Sequence, residues 1–118
     1  MVVDDDPLAV DLMREALGRL GVECIGLGDG RQAVQEIENV RPDALILDLM
    51  MPEFDGFAVL DSLRRSAAGR NTPVFIWTNM TITIEEYEIL KRSAHAIVSK
   101  GGGAAETMLE DLRGRCSG

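Results

Sequence analysis

Short apolar runs alternate with longer segments of helical periodicity from one end of this chain to the other. A strand that is buried on both faces of a parallel sheet needs a nearly continuous apolar run. A helix that packs on such a sheet needs an apolar residue every three or four positions. The alternation therefore predicts a parallel sheet flanked by helices.

Five strand–helix units can be assigned. The predicted strands cover residues 2–4, 23–26, 44–48, 72–78 and 96–99. The first helix begins at Asp6, whose carboxylate can accept hydrogen bonds from unpaired amide groups, and Pro7 suits the first helical position. Thr83 and Glu86 have the spacing of a capping box and predict the start of the fourth helix. Residues 69–71 are predicted to form a turn before the fourth strand.

Each predicted helix has an apolar face that would pack on the sheet. In the first helix, the residues that recur every four positions are Leu8, Leu12, Ala16 and Leu20. The corresponding residues of the later helices are Ala33, Val34 and Ile37; Phe57, Leu60 and Leu63; Ile84, Tyr87 and Leu90; and Ala105, Met108, Leu109 and Leu112.

Right-handed crossovers join these units into a flavodoxin-like, doubly wound α/β fold with five parallel strands in the order 2-1-3-4-5 and five helices. The chain has 118 residues, of which 46% are hydrophobic. This is enough for one compact core and too little for two ordinary domains, so residues 1–118 are predicted to form a single domain. Folds of this kind carry their sites at the carboxyl ends of the strands.

Composition argues against several functions. The formal net charge of −8 opposes direct binding to nucleic acid, because phosphate contacts need Lys or Arg. No apolar run approaches the length needed to span a membrane, and no signal peptide opens the chain. Cys24 and Cys116 lie far apart and outside any CxxC motif, so neither a disulfide framework nor a zinc site is indicated. We expect a soluble, cytoplasmic protein.

Polar residues end or directly follow four of the predicted strands, at the edge of the sheet where the carboxyl ends meet. Asp4 ends the first predicted strand and Asp5 follows it, Asp48 ends the third, Thr78 ends the fourth and Lys100 follows the fifth. Carboxylates gathered at one edge repel each other unless a cation joins them, and Mg²⁺ prefers such oxygen ligands. The Asp48 carboxylate could then attack a phosphoryl group, with Thr78 and Lys100 binding its oxygens.

Four segments spread over the chain carry a resemblance to a known family: VVDDDP, DALILDLMMPEFDGFAVL, IWT and IVSK. On these segments the chain resembles a response regulator receiver domain of two-component systems over nearly its whole length. The resemblance implies that Asp48 is the phosphorylated residue. It also implies a Mg²⁺ cofactor held by Asp5, Asp48 and the backbone carbonyl of Met50, with Asp4 bound through water.

The same resemblance implies partners. A sensor histidine kinase or a histidine phosphotransfer domain would supply the phosphoryl group. Thr78 and Lys100 would couple phosphorylation to the surface made by the fourth helix, the fifth strand and the fifth helix, which a downstream effector would bind. The IWT and SKGGG segments resemble receivers inside hybrid histidine kinases, which favours a piece of a larger protein over a stand-alone receiver.

Three positions depart from the family pattern. Gly101 stands where receivers usually have a proline with a cis peptide bond, so we expect a trans bond and a looser loop after Lys100. Ile97 replaces the usual aromatic switch residue, and an aromatic rotamer switch is therefore not expected. Asn79 replaces a small residue next to Thr78, which predicts altered dephosphorylation.

A degenerate receiver that serves only as a protein-binding module is the main alternative, although Asp5, Asp48, Thr78 and Lys100 are all retained. A phosphohydrolase of the haloacid dehalogenase type needs a second acid two residues after its nucleophile, where this chain has Met50. A flavin-binding protein of the same fold needs a phosphate loop after the first strand. Three carboxylates occupy that place here and would repel the phosphate.

Overall fold

The computed structural model describes residues 1–51, 56–100 and 105–116. Within these ranges the strands are β1 (Val2–Val3), β2 (Gly26–Leu27), β3 (Leu45–Leu47), β4 (Val74–Thr78) and β5 (Ala96–Ser99). They form one parallel sheet in the order β2-β1-β3-β4-β5. The predicted strand order and parallel pairing are confirmed, although four of the five strands are shorter than predicted.

The described ranges contain six helices: α1 (Pro7–Arg19), α2 (Gly30–Val40), α3 (Gly56–Arg65), α4 (Ala67–Asn71), α5 (Ile84–Leu90) and α6 (Ala105–Cys116). The predicted caps are confirmed: Asp6 accepts a hydrogen bond from the Leu8 N–H at 3.0 Å, and Thr83 and Glu86 form a capping box. The short α4 replaces the predicted turn, because Ser66 caps it. None of these helices is long and apolar enough to cross a membrane.

The sheet is buried on both faces. Alternate residues of each strand point to opposite sides, so each face has its own core. On the first face, strand residues Val2, Ile46, Phe75, Trp77 and Val98 pack with α1 and α6. On the second, Val3, Leu45, Leu47, Val74 and Ile76 pack with α2, α3 and Leu90 of α5. Polar side chains are thereby excluded from the middle of the sheet.

The predicted apolar faces of two helices are wrong. In α1, Leu8 and Leu12 are 70% and 61% exposed, and the buried residues are Ala9, Val10, Met13 and Leu17. Consecutive residues lie about 100° apart around a helix, so α1 has two competing apolar stripes, and only packing on the sheet selects one. In α5, Ile84 is 80% exposed and Tyr87 is also exposed, while Leu90 is buried as predicted.

Arg64, near the end of α3, holds three segments together through their backbone carbonyls. Its Nε donates to the Ser93 carbonyl at 2.9 Å, and Nη2 also donates to that oxygen. Its Nη1 donates to the carbonyls of Gly69 and Thr72. Partial burial lowers the pKa of the guanidinium, which nevertheless stays cationic at neutral pH. Arg64 therefore fixes the chain after α5 against α3 and α4.

Replacing Arg64 by methionine should lower the free energy of unfolding by about 2–4 kcal/mol, because three backbone carbonyls would lose a charged donor. Methionine keeps much of the unbranched side chain. Arg65→Met is the matched control, since the exposed pair between Arg65 and Asp61 should be worth about 0.5 kcal/mol or less. Urea unfolding at neutral pH measures both, and equal losses would contradict the role given to Arg64.

Gly56 allows α3 to begin directly beside the end of β3. A Cβ at this position would lie 2.5 Å from the Leu49 Cα and 2.6 Å from the Asp48 carbonyl oxygen. Both neighbours are backbone atoms, so no side-chain rotation can make room. The Gly56 N–H donates to the Leu49 carbonyl at 3.1 Å, which joins the start of α3 to the residue after Asp48. This close approach of two backbone segments depends on the missing side chain.

Gly56→Ala should destabilise the fold by about 1–3 kcal/mol through this overlap. Gly18→Ala is the control: Gly18 lies inside α1 with open space around its Cα, so alanine should stabilise the helix by about 0.5–1 kcal/mol. Thermal unfolding of the two variants should give shifts of opposite sign. A Gly56→Ala protein as stable as the wild type would show that the backbone of Asp48 and Leu49 can move aside.

Candidate functional site

Three carboxylates meet at the carboxyl ends of the adjacent strands β1 and β3. One oxygen from each of Asp4, Asp5 and Asp48 can be chosen so that all three lie within 4.8 Å of one another. The side chains of Asp4 and Asp48 are buried, whereas Asp5 is exposed. The sheet brings them together because β1 and β3 pair in parallel and end side by side. We call Asp4, Asp5 and Asp48 the acidic cluster.

Lys100, which directly follows β5, reaches into the acidic cluster. Its Nζ donates to Asp4 Oδ2 at 2.6 Å and to Asp48 Oδ2 at 3.2 Å. Its backbone N–H donates to the Thr78 carbonyl at 3.0 Å, which extends the pairing of β4 and β5. The side chain is largely buried, so these ion pairs are little screened by solvent. One ammonium thus links the ends of β1, β3 and β5.

The acidic cluster has more negative than positive charge. Burial raises the pKa of Asp4 above its ordinary value of 3.8, and the nearby charge of Asp48 adds to this, while Lys100 and the Asp6 N–H oppose it. Burial alone would lower the pKa of Lys100, but its hydrogen bond to Asp4 and the charges of Asp4 and Asp48 outweigh burial and raise the pKa. Three carboxylates face one ammonium, so a further cation would be attracted.

The other predicted site residues, Met50 and Thr78, lie nearby with different contacts. The Met50 N–H donates to Asp48 Oδ1 at 3.1 Å, which orients the Asp48 carboxylate, and the Met50 side chain is exposed. Thr78 is buried, and its Oγ1 accepts a hydrogen bond from the Met80 N–H at 3.1 Å. The role of the Met50 carbonyl and the approach of Thr78 to a phosphoryl group remain predictions. The predicted trans bond before Gly101 lies outside the described residues.

Trp77, the residue before Thr78, lies beside Lys100. Its side chain packs in the core on the first face of the sheet. In addition, Lys100 Nζ lies over its indole ring, 5.1 Å from the ring centroid. Strand alternation in the sequence is only part of the signal for this contact, which also needs the register of β4 and β5: Trp77 is opposite Val98, and Lys100, two residues further, shares that face.

The chain was compared with known proteins. A family model described as the response regulator receiver domain matches residues 1–112. The DNA-binding response regulator MtrA of Mycolicibacterium smegmatis is 34% identical over 100 residues, which cover 85% of this chain and 42% of that protein. Protein-glutamate methylesterase/protein-glutamine glutaminase 5 of Myxococcus xanthus is 34% identical over 120 aligned residues, which cover 97% of this chain and 33% of that protein. The chain spans less than half the length of these relatives.

Solved structures agree with this match. The chemotaxis protein CheY4 of Vibrio cholerae aligns with a TM-score of 0.83 and 27% identity, over 97% of this chain and 94% of that chain. The receiver domain of sensor histidine kinase PA1611 from Pseudomonas aeruginosa aligns with a TM-score of 0.81 and 26% identity, over 96% of this chain and 94% of that chain. That structure has a magnesium ion coordinated in its active site cleft. This chain belongs to the response regulator receiver domain family.

Proposed function

We propose that this chain is a phosphoacceptor: Asp48 accepts a phosphoryl group from a sensor histidine kinase or a histidine phosphotransfer domain in a Mg²⁺-dependent reaction. The observation that supports this most is the position of Lys100 Nζ, 3.2 Å from Asp48 Oδ2 and within the acidic cluster. Phosphoryl transfer depends mainly on positioning and on neutralising charge. A carboxylate held beside a buried ammonium meets both needs.

The donor set of the acidic cluster fits Mg²⁺. Its three carboxylates offer closely spaced oxygen atoms, and their charge exceeds that of Lys100. We assign Asp5, Asp48 and the Met50 backbone carbonyl as direct ligands, and Asp4 as a ligand through water. When bound, Mg²⁺ supplies positive charge that offsets the charge on the phosphoryl oxygens.

In the proposed transfer, an Asp48 carboxylate oxygen forms a bond to phosphorus while the bond from phosphorus to the imidazole nitrogen of the donor breaks. The donor nitrogen keeps the electron pair of the broken bond, and Asp48 becomes an acyl phosphate. Lys100 would neutralise one phosphoryl oxygen, which its distance of 3.2 Å from Asp48 Oδ2 supports. Thr78 accepts a hydrogen bond through its oxygen, so its hydroxyl hydrogen can still be donated to another phosphoryl oxygen.

Phosphorylation would be communicated to a partner through the surface formed by α5, β5 and α6. Because the short α4 is an additional helix, α5 and α6 are the predicted fourth and fifth helices. Thr78 ends β4 shortly before α5, and Lys100 directly follows β5, so both residues that would contact the phosphoryl group adjoin elements of this surface. Ile84, Tyr87 and Ile89 on α5 are exposed and apolar, which suits binding of a downstream effector. A degenerate receiver would use the same surface without phosphorylation.

Incubation with a small acyl phosphate and Mg²⁺ should add the mass of one phosphoryl group to the wild type, and Asp48→Asn should abolish the adduct because an amide oxygen is a poor nucleophile. Intact-mass spectrometry measures both, with a metal-free sample for comparison. Asp61→Asn is the matched control, since Asp61 forms an exposed ion pair with Arg65 and should not affect the adduct. Absence of any adduct in the wild type would favour the binding-module alternative.

Mg²⁺ affinity should fall as the pH is lowered, because the raised pKa of Asp4 makes it take up a proton above the ordinary value of 3.8. Below that raised pKa, affinity should fall by up to about tenfold per pH unit. Fluorescence of the single tryptophan, Trp77, can follow binding between about pH 4.5 and pH 7.5.

Asp4→Asn is the informative variant for this pH dependence. It should bind Mg²⁺ more weakly at neutral pH and with a flatter pH profile, since the titrating carboxyl group is gone. Asp61→Asn, which removes the exposed carboxylate paired with Arg65 on α3, should behave like the wild type. An Asp4→Asn protein with the steep profile of the wild type would assign the proton to another group.

A further inference from the structure

The indole of Trp77 forms one wall of the space that holds the Lys100 ammonium. Lys100 Nζ is 5.1 Å from the ring centroid, within the distance at which a cation is attracted to the face of an aromatic ring. Tryptophan gives the strongest attraction of the aromatic residues. Both side chains are largely buried, which increases the interaction because little water competes for the ammonium.

Packing alone does not explain a tryptophan at this position. Trp77 is 8% exposed, and its Nε1 has no hydrogen-bond partner among the residues that the structure describes. Burying an indole N–H without an acceptor costs about 1–3 kcal/mol. A phenylalanine would fill much of the same volume without this cost. The indole is therefore better explained by what its face contacts than by its volume.

The two hydrogen bonds of the Lys100 ammonium differ in length. Its Nζ is pulled toward Asp4 and Asp48, and the shorter distance is to Asp4, at 2.6 Å. An ammonium drawn fully to Asp4 would leave Asp48. The chain that follows offers no side chain to restrain it, because residues 101–103 are all glycine. Among the residues that the structure describes, the Trp77 indole face is a further contact of the ammonium, and it can limit where the ammonium lies.

We propose that Trp77 is a positioning residue, whose indole face holds the Lys100 ammonium between Asp4 and Asp48, where it can reach the phosphoryl group. The inference rests on the proposed function for its kinetic consequence. The placement of Lys100 can be measured without phosphorylation. Trp77 acts through Lys100 and is not assigned a contact with the phosphoryl group.

The test compares Trp77→Met, which removes the aromatic face, with Trp77→Phe, which keeps a weaker one. In the wild type, the Lys100 side-chain NMR resonances should be shifted upfield by the ring current of the indole. This shift should vanish in Trp77→Met and be partly kept in Trp77→Phe. The rate of Mg²⁺-dependent phosphorylation by an acyl phosphate should fall about three- to tenfold in Trp77→Met and less in Trp77→Phe.

Phe75→Met is the matched control. Phe75 lies on the same face of β4, is fully buried, and contacts His95 and Arg115 rather than Lys100. The Phe75→Met protein should be less stable than the wild type, while its Lys100 resonances and its phosphorylation rate should equal those of the wild type. Equal rates in Phe75→Met and Trp77→Met, or an unchanged Lys100 shift in Trp77→Met, would overturn the proposal.

A second variant tests the same contact, and one outcome separates the role of Trp77 from the proposed function. If Trp77→Met fails to fold, Lys100→Met read through Trp77 fluorescence replaces it. Trp77 emission should change in Lys100→Met. It should stay constant in Lys91→Met, because Lys91 forms an exposed ion pair with Glu88. Unchanged emission in Lys100→Met would overturn the proposal. If the wild type shows the Lys100 shift but forms no phosphoryl adduct, the proposed function fails while the placement of Lys100 by Trp77 stands.

Discussion

A parallel sheet that is covered on both faces leaves its strand ends as the place where polar side chains can gather. In this chain both cores are built from apolar side chains of alternate strand positions. Asp4, Asp48 and Lys100 continue the same alternation just beyond β1, β3 and β5. The acidic cluster and its ammonium are therefore a direct result of strand register. Any shift of one residue in a strand would turn its polar end away from the others.

The fold was predictable because several independent signals agreed. Apolar runs, caps at Asp6 and Thr83, and the alternation of strands and helices all indicated the same topology, and the strand order is confirmed. The faces of α1 and α5 were not predictable to the same degree. Leu8 and Leu12 have the spacing of a buried stripe, yet neighbouring Ala9 and Met13 offer another, and the choice depends on packing that sequence periodicity does not contain.

Most of the site residues could be selected from the sequence because they lie at the end of a strand or directly after it. The contacts that these residues make with one another could not be predicted from the sequence. That Lys100 donates to Asp4 at a shorter distance than to Asp48 depends on side-chain conformations at the edge of the sheet. The contact between Lys100 and Trp77 requires the register of β4 against β5, which becomes known only once the strands are paired. Strand ends thus predict which residues meet, and packing decides how they meet.

The partners of Arg64 have a consequence for how this protein can change during evolution. Arg64 binds the carbonyls of Gly69, Thr72 and Ser93, which are backbone groups that every residue type possesses. The chain after α5 is thus anchored by a backbone carbonyl, and this anchoring does not depend on which side chains that segment carries. Under the proposed function, exposed residues of α5 such as Ile84 and Tyr87 could be replaced to suit a new partner while the end of the helix keeps its place. Partner specificity and the anchoring of this helix could then evolve separately.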